Sequence, residues 1–151
     1  RQYLNMLAKN IYSSYGVSFD RVRFNCETNG IEFGIDTIIP LGLILNEAIS
    51  NSLKHAFPLN RSGEIYIELS EPGKLNEPNK TIDYSNEHYR LIIKDNGKGL
   101  PKDFDMQKMN SLGLTLLSSL SAQLDGEVII NNKIGTEVDI RFKELKYKKR
   151  V

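Results

Sequence analysis

Two hydrophobic rhythms alternate along this chain. From Tyr3 to Tyr15, apolar positions Leu4, Leu7, Ala8, Ile11 and Tyr15 follow the 3.6-residue period of a helix lying on a core, and Gly16 supplies a left-handed stop. The period then drops to two: Val22, Phe24 and Cys26 alternate with Arg23 and Asn25, which predicts a strand. Asn29-Gly30 is a turn signal that sends Ile31-Glu32-Phe33 back as a short paired strand. Asp36 or Thr37 caps a long helix that holds Pro40 in its first turn and stops at Pro58. Along that helix Leu41, Leu45, Ala48, Ile49, Ser52 and Ala56 form the core-facing stripe.

Alternation returns at Ile65, Ile67 and Leu69, and again at Tyr89, Leu91 and Ile93. The polar stretch between them, residues 70–88, reads as an extended hairpin loop. A Gly/Pro/Asp-rich connection over Gly97 to Asn110 leads into a third helix, Ser111 to Leu124, with Leu112, Thr115, Leu116, Ser119 and Leu120 on its apolar side. Glu127–Asn131 and Glu137–Phe142 pair around Asn132-Lys133-Ile134-Gly135. This order predicts an α+β fold: a two-layer α/β sandwich whose mostly antiparallel, mixed sheet is covered on one face by about three helices.

Composition narrows the picture mainly by exclusion. A chain of 151 residues fits one domain (1–151) and buries roughly 70% of its unfolded surface without staples. The formal charge of +1 gives no bulk electrostatic case for nucleic acid. Cys26 is the single cysteine, so there is no internal disulfide and no cysteine-cluster metal site. No apolar run approaches the roughly 18 residues of a membrane span. The basic tail, 143–151, has a single aromatic, Tyr147, and no second basic patch, and reads as a solvated terminus. Phosphate-loop, dinucleotide, serine-hydrolase and zinc-protease signatures are all missing.

The chemistry gathers on the long helix. Glu47, Asn51, Lys54 and His55 fall at i, i+4, i+7 and i+8, sharing the face opposite the apolar stripe. An Asn oxygen suits Mg²⁺, which keeps several waters and takes few protein ligands besides substrate phosphates. Glu47, one turn earlier, is placed to orient a metal-bound or attacking water. Lys54 is placed to meet phosphate as a point charge, and His55 to pack on a base or hold a phosphate. Asp95, at a strand end, is an acceptor for an amino group on a base, while Gly97 and Gly99 let backbone approach the ring, continuing through Leu100. The start of the third helix, Ser111-Leu112-Gly113-Leu114, offers free N–H groups to an anion. Each feature has a plain structural alternative: a solvated charge, a turn, a packing glycine or, at Gly135-Thr136, a hairpin bend.

Order and spacing add what single motifs do not. The chain resembles the ATP-binding catalytic domain of sensor histidine kinases, in the superfamily shared with gyrase, Hsp90 and MutL. Glu47-Ala-Ile-Ser-Asn51-Ser-Leu-Lys54-His55 is similar to the family's N box, and Asp95, Gly97 and Gly99 to its first glycine box. Ser111-Leu-Gly113-Leu matches the second glycine box in part, with serine where glycine is usual, and Gly135, Thr136, Ile140 and Phe142 match the last box. The resemblance implies that Asn51 holds Mg²⁺ on ATP and that Lys54 touches the distal phosphates. It also implies that Asp95 binds the adenine amino group with support from Thr136, that 100–112 is an ATP lid, and that the amides of Ser111 to Leu114 cradle phosphate. It implies transfer of the γ-phosphoryl group to a histidine on a separate dimerisation hairpin, and a downstream response regulator as partner. Residues 1–16 then follow that hairpin, which this chain lacks. The expected setting is cytoplasmic, with no nucleic acid and no direct membrane contact by this piece, whether or not the parent is membrane-anchored. Two alternatives share the fold: an anti-sigma-factor serine-protein kinase, and a nucleotide-binding module without turnover.

Overall fold

The computed structural model describes residues 2–73, 87–105 and 111–146. Much of the expected loop 70–88, part of the lid 100–112 and the end of the tail 143–151 therefore lie outside the described residues. In chain order the elements are β1 (Gln2–Tyr3), α1 (Leu4–Ser14), β2 (Val22–Glu27), β3 (Glu32–Phe33) and α2 (Ile35–Asn51). A π-helical turn (Ser52–Ala56) extends α2 and is followed by β4 (Gly63–Ser70), β5 (Tyr89–Asp95), α3 (Leu112–Gln123), β6 (Glu127–Lys133) and β7 (Gly135–Phe142).

Strands β2-β4-β5-β7-β6 form one five-stranded sheet. β2 runs parallel to β4, Val22 opposite Gly63, and the other neighbours are antiparallel. Alternation dictates which face is covered: Ile65, Ile67, Leu69, Leu91, Ile93, Val138, Ile140 and Phe142 are all buried on the helix side. Leu41, Leu45, Ala48, Ile49, Ser52 and Ala56 are buried as the sequence stripe requires. Each fully buried Leu or Ile in this layer contributes about 1.5–3 kcal/mol of transfer free energy. On the opposite face the Lys94 ammonium lies 4.8 Å from the centre of the Tyr66 ring, and Arg90 forks onto both Asp139 oxygens at 3.0 and 2.7 Å.

Several local expectations are corrected. Asn29 and Gly30 do take positive φ, but the strand after them leaves β2 and pairs antiparallel with β1, Gln2 opposite Phe33. The gain is burial of the Phe33 ring against Tyr89 and Phe142, with centroids at 5.0 and 5.6 Å. Gly34, not Asp36 or Thr37, precedes the first residue of α2, and Pro40 lies inside the helix rather than in its first turn. The Asp36 carbonyl consequently has no i+4 amide partner. The Thr37 hydroxyl instead accepts from the Leu145 amide at 2.8 Å, and Leu145 packs against the core, so the described start of the tail is tied down rather than solvated. In α1 the missed core residue is Tyr12, whose hydroxyl donates to the Val22 carbonyl and whose ring stacks on Phe24 at 4.8 Å. The buried side of α3 is Leu117, Leu120 and Ser121; Leu112, Thr115, Leu116 and Ser119 are exposed.

Cys26 is half-buried in β2, and burial pushes its thiol up to about 11, with Lys9 opposing and Glu27 adding to the shift. Against the ordinary value of 9.0 this lowers the thiolate fraction near pH 8 roughly a hundredfold. Iodoacetamide labelling at pH 8 should therefore be about a hundredfold slower in the native chain than in urea-unfolded chain. Equal rates would contradict the burial.

Candidate functional site

A cavity of about 510 Å³ opens between α2, the end of β5 and the start of α3. Its polar side comes from α2 and the π-helical turn: Glu47, Asn51, Ser52 and His55. Ile93, Leu117, Ile130 and Val138 supply the apolar side, and Lys98 to Pro101 with Phe104 form an outer wall.

Asp95 closes the floor and is 5% exposed. Its Oδ1 accepts from the Gly97 amide at 3.0 Å and the Thr136 amide at 3.2 Å, while its Oδ2 accepts from the Ser52 hydroxyl at 2.7 Å. Ser52, read from sequence only as part of the apolar stripe, thus joins the core layer to the site. The π-helical turn begins at Ser52, an irregularity that often marks functional positions. The turn ends where the Ala56 carbonyl accepts from the Lys98 amide at 2.9 Å, anchoring the glycine loop. Gly135 is required here by contact: a Cβ on it would lie 2.1 Å from the Asp95 carbonyl oxygen, at φ +82°.

Glu47 and Asn51 form a pair one turn apart, with Asn51 Nδ2 donating to Glu47 Oε1 at 3.1 Å. That bond uses the amino side of the carboxamide and leaves Asn51 Oδ1 as an acceptor for another ligand. Gly113 comes so close that a Cβ would lie 2.3 Å from Glu47 Oε1, so a side chain at this point of α3 would push the Glu47 carboxylate aside.

Of the residues chosen from sequence, Glu47, Asn51, His55, Asp95, Gly99, Leu100, Ser111, Gly113, Leu114 and Thr136 line this one cavity. Gly97 serves it through its amide. Lys54 and Leu112 are exposed and do not line it. The α3 amides are not all free, because the Ser111 hydroxyl caps the helix by accepting from the Leu114 amide at 3.2 Å. Sequence reasoning missed Lys98, Phe104 and the apolar wall. Lys98 stands between Gly97 and Gly99, but nothing in its spacing separates it from an exposed loop lysine.

Residues 36–146 match the family model described as histidine kinase-, DNA gyrase B- and HSP90-like ATPase. The chain belongs to this ATPase family, and its fold is that of histidine kinase catalytic domains. Blue-light-activated histidine kinase 2 of Erythrobacter litoralis is 26% identical over 120 residues, covering 79% of this chain and 31% of the relative. Sensor histidine kinase PdtaS of Mycobacterium tuberculosis is 28% identical over 110 residues, covering 70% and 19%. The chain thus spans a third or less of these relatives. The solved histidine kinase domain of an Erythrobacter litoralis blue-light-activated kinase aligns with a TM-score of 0.73 at 24% identity, covering 94% of this chain and 59% of that one. Histidine kinase ThkA in complex with response regulator TrrA aligns at 0.66 and 14% identity, covering 95% and 41%.

Proposed function

We propose that this domain binds Mg-ATP and hands the γ-phosphoryl group to a histidine on a separate dimerisation hairpin, as the cytoplasmic catalytic part of a two-component sensor kinase. The observation that carries this reading is Asp95: a buried carboxylate on the floor of an apolar-walled cavity, fixed by three donors from its own chain. A carboxylate so held presents its remaining lone pair to one donor on a ligand, which suits the exocyclic amino group of adenine. Ile93, Leu117, Ile130 and Val138 suit the faces of a flat ring.

The residues at the outer end fit a magnesium ion carried in by the nucleotide. Among the described residues no group of three or more His, Cys, Asp or Glu could hold a metal alone. Asn51 offers one oxygen, as an ion that keeps its waters and phosphate ligands requires. Magnesium would neutralise phosphate charge, with Asn51 holding it, Glu47 orienting the Asn51 carboxamide, and His55 and Lys98 facing the phosphates. Lys54 reaches that end only if its exposed side chain swings in. Catalysis by such a site consists of positioning and charge neutralisation. A response regulator receives the phosphoryl group afterwards.

Calorimetric titration with ATP and GTP, with Mg²⁺ and with EDTA, tests the site. ATP should bind selectively, and Mg²⁺ should strengthen it. Asn51→Ala should abolish most of that Mg²⁺ effect, about tenfold in affinity. A Mg²⁺ effect that survives intact removes Asn51 from the metal. Phosphate appearing on a serine of a small partner, rather than on a hairpin histidine, would move the domain to the serine-kinase branch.

A further inference from the structure

The outer wall of the cavity is held from behind by a residue of the β6–β7 hairpin. Asn132 Oδ1 accepts from the Leu100 amide at 3.0 Å, and Asn132 Nδ2 donates to the Leu100 carbonyl at 2.8 Å. A carboxamide carries one acceptor and one donor side by side, so it pairs with both backbone groups of one residue as a neighbouring strand would. The pairing also fixes the orientation of the carboxamide, since only its oxygen can face the Leu100 N–H.

We infer that Asn132 is a positioning residue for the nucleotide wall: it clips the backbone of Leu100 so that Gly99, Leu100 and Pro101 stand at the cavity rather than in solvent. This rests on the ATP reading above. Three further observations support the clip. Gly99 has φ +73°, which strains any side chain, and a Cβ there would lie 2.6 Å from Asn132 Oδ1, so a side chain at 99 would compete with the Asn132 carboxamide for its place on Leu100. The root of the wall has its other tie at Lys98, whose amide reaches Ala56 on the opposite side of the site. Leu100 therefore stands between two anchors, one on the helix layer and one on the sheet. Finally, Asn132 lies three residues before Gly135, which abuts Asp95. One hairpin thus sets both the floor of the cavity, through Gly135 and Thr136, and its outer wall, through Asn132.

The neighbouring Asn131 supplies the control. Its carboxamide donates to Glu137 Oε1 at 3.0 Å within the same hairpin and takes no part in the wall. Asn132→Ala and Asn131→Ala should perturb the hairpin comparably, but only the first should release Leu100. Two measurements on the 151-residue chain decide this: amide hydrogen exchange at Leu100 without nucleotide, and Mg-ATP affinity with its dissociation rate. Asn132→Ala should speed Leu100 exchange at least about tenfold. It should weaken ATP roughly three- to tenfold, mainly through faster dissociation. Asn131→Ala should leave both near the unsubstituted values. Unchanged Leu100 exchange in Asn132→Ala overturns the clip. Faster exchange with ATP affinity held within twofold overturns the positioning role, as does an equal loss in Asn131→Ala. If the unsubstituted chain bound no ATP, the ATP reading would fall, and with it a nucleotide wall, while the exchange comparison would still show whether Asn132 holds Leu100.

Discussion

Asp95→Asn is expected to weaken ATP binding by roughly 1.5–3 kcal/mol, about 10- to 150-fold, while leaving the domain folded. The argument is atom by atom. An Asn side chain keeps an acceptor oxygen for the Gly97 and Thr136 amides, so the β5 end and the β7 start remain joined. Its amino group takes the place of Oδ2, and the Ser52 hydroxyl can turn from donor to acceptor. What the amino group cannot do is accept from an adenine amino group, because donor then meets donor. A purine with a carbonyl at that position suffers less, so the preference for ATP over inosine triphosphate should shrink together with the affinity. Calorimetry with both nucleotides and a urea melt test this. An unchanged ATP affinity would show that Asp95 does not read the base.

The second large effect is expected at Gly135. Gly135→Ala should destabilise the domain by about 3–4 kcal/mol, near the top of the range for a single substitution. Two costs add. At φ +82° an alanine is strained, and its Cβ would sit 2.1 Å from the Asp95 carbonyl oxygen and 2.7 Å from its Oδ1. The nearest of those atoms is backbone in the middle of the sheet and cannot rotate aside. Relief requires β7 to withdraw from β5, which pulls the Thr136 amide off Asp95. ATP binding should fail with stability. Gly16→Ala separates the two costs: Gly16 has φ +64° with nothing near a Cβ, so it should lose only about 1 kcal/mol. Equal losses at the two glycines in denaturant titration would refute the contact argument.

The parts of this molecule legible in the sequence were those governed by one local rule. Period-two alternation found β2, β4 and β5 because one face of each strand is buried. The stripe from Leu41 to Ala56 found the core side of α2 because that face is apolar except at Ser52, whose hydroxyl is paired with Asp95. Glu47, Asn51 and Asp95 come together at one cavity, as their spacing suggested, because their carrier elements were identified correctly. What escaped depends on partners distant in sequence. β1 and β3 have two residues each and exist only because Phe33 finds an aromatic pocket. In α3, Leu112 and Leu116 satisfy a helical period as well as Leu117 and Leu120 do, and only the position of the sheet chooses between them. No sequence pattern announces the π-helical turn, and that turn is where the fourfold face of Glu47, Asn51, Lys54 and His55 comes apart: His55 stays on the cavity and Lys54 leaves it.

The parallel pairing of β2 with β4 gives α2 a second office. A parallel pair needs a crossover between its strands, and here the crossover contains α2 itself, the helix that carries Glu47 and Asn51. The edge of the sheet and the proposed ligand therefore pull on the same spar. A nucleotide that binds only the folded chain stabilises β2 together with α2, although it never touches that strand. Occupancy and cohesion are thereby linked, and stability lost by a substitution along β2 is offset by nucleotide bound at a site that the substitution leaves unaltered.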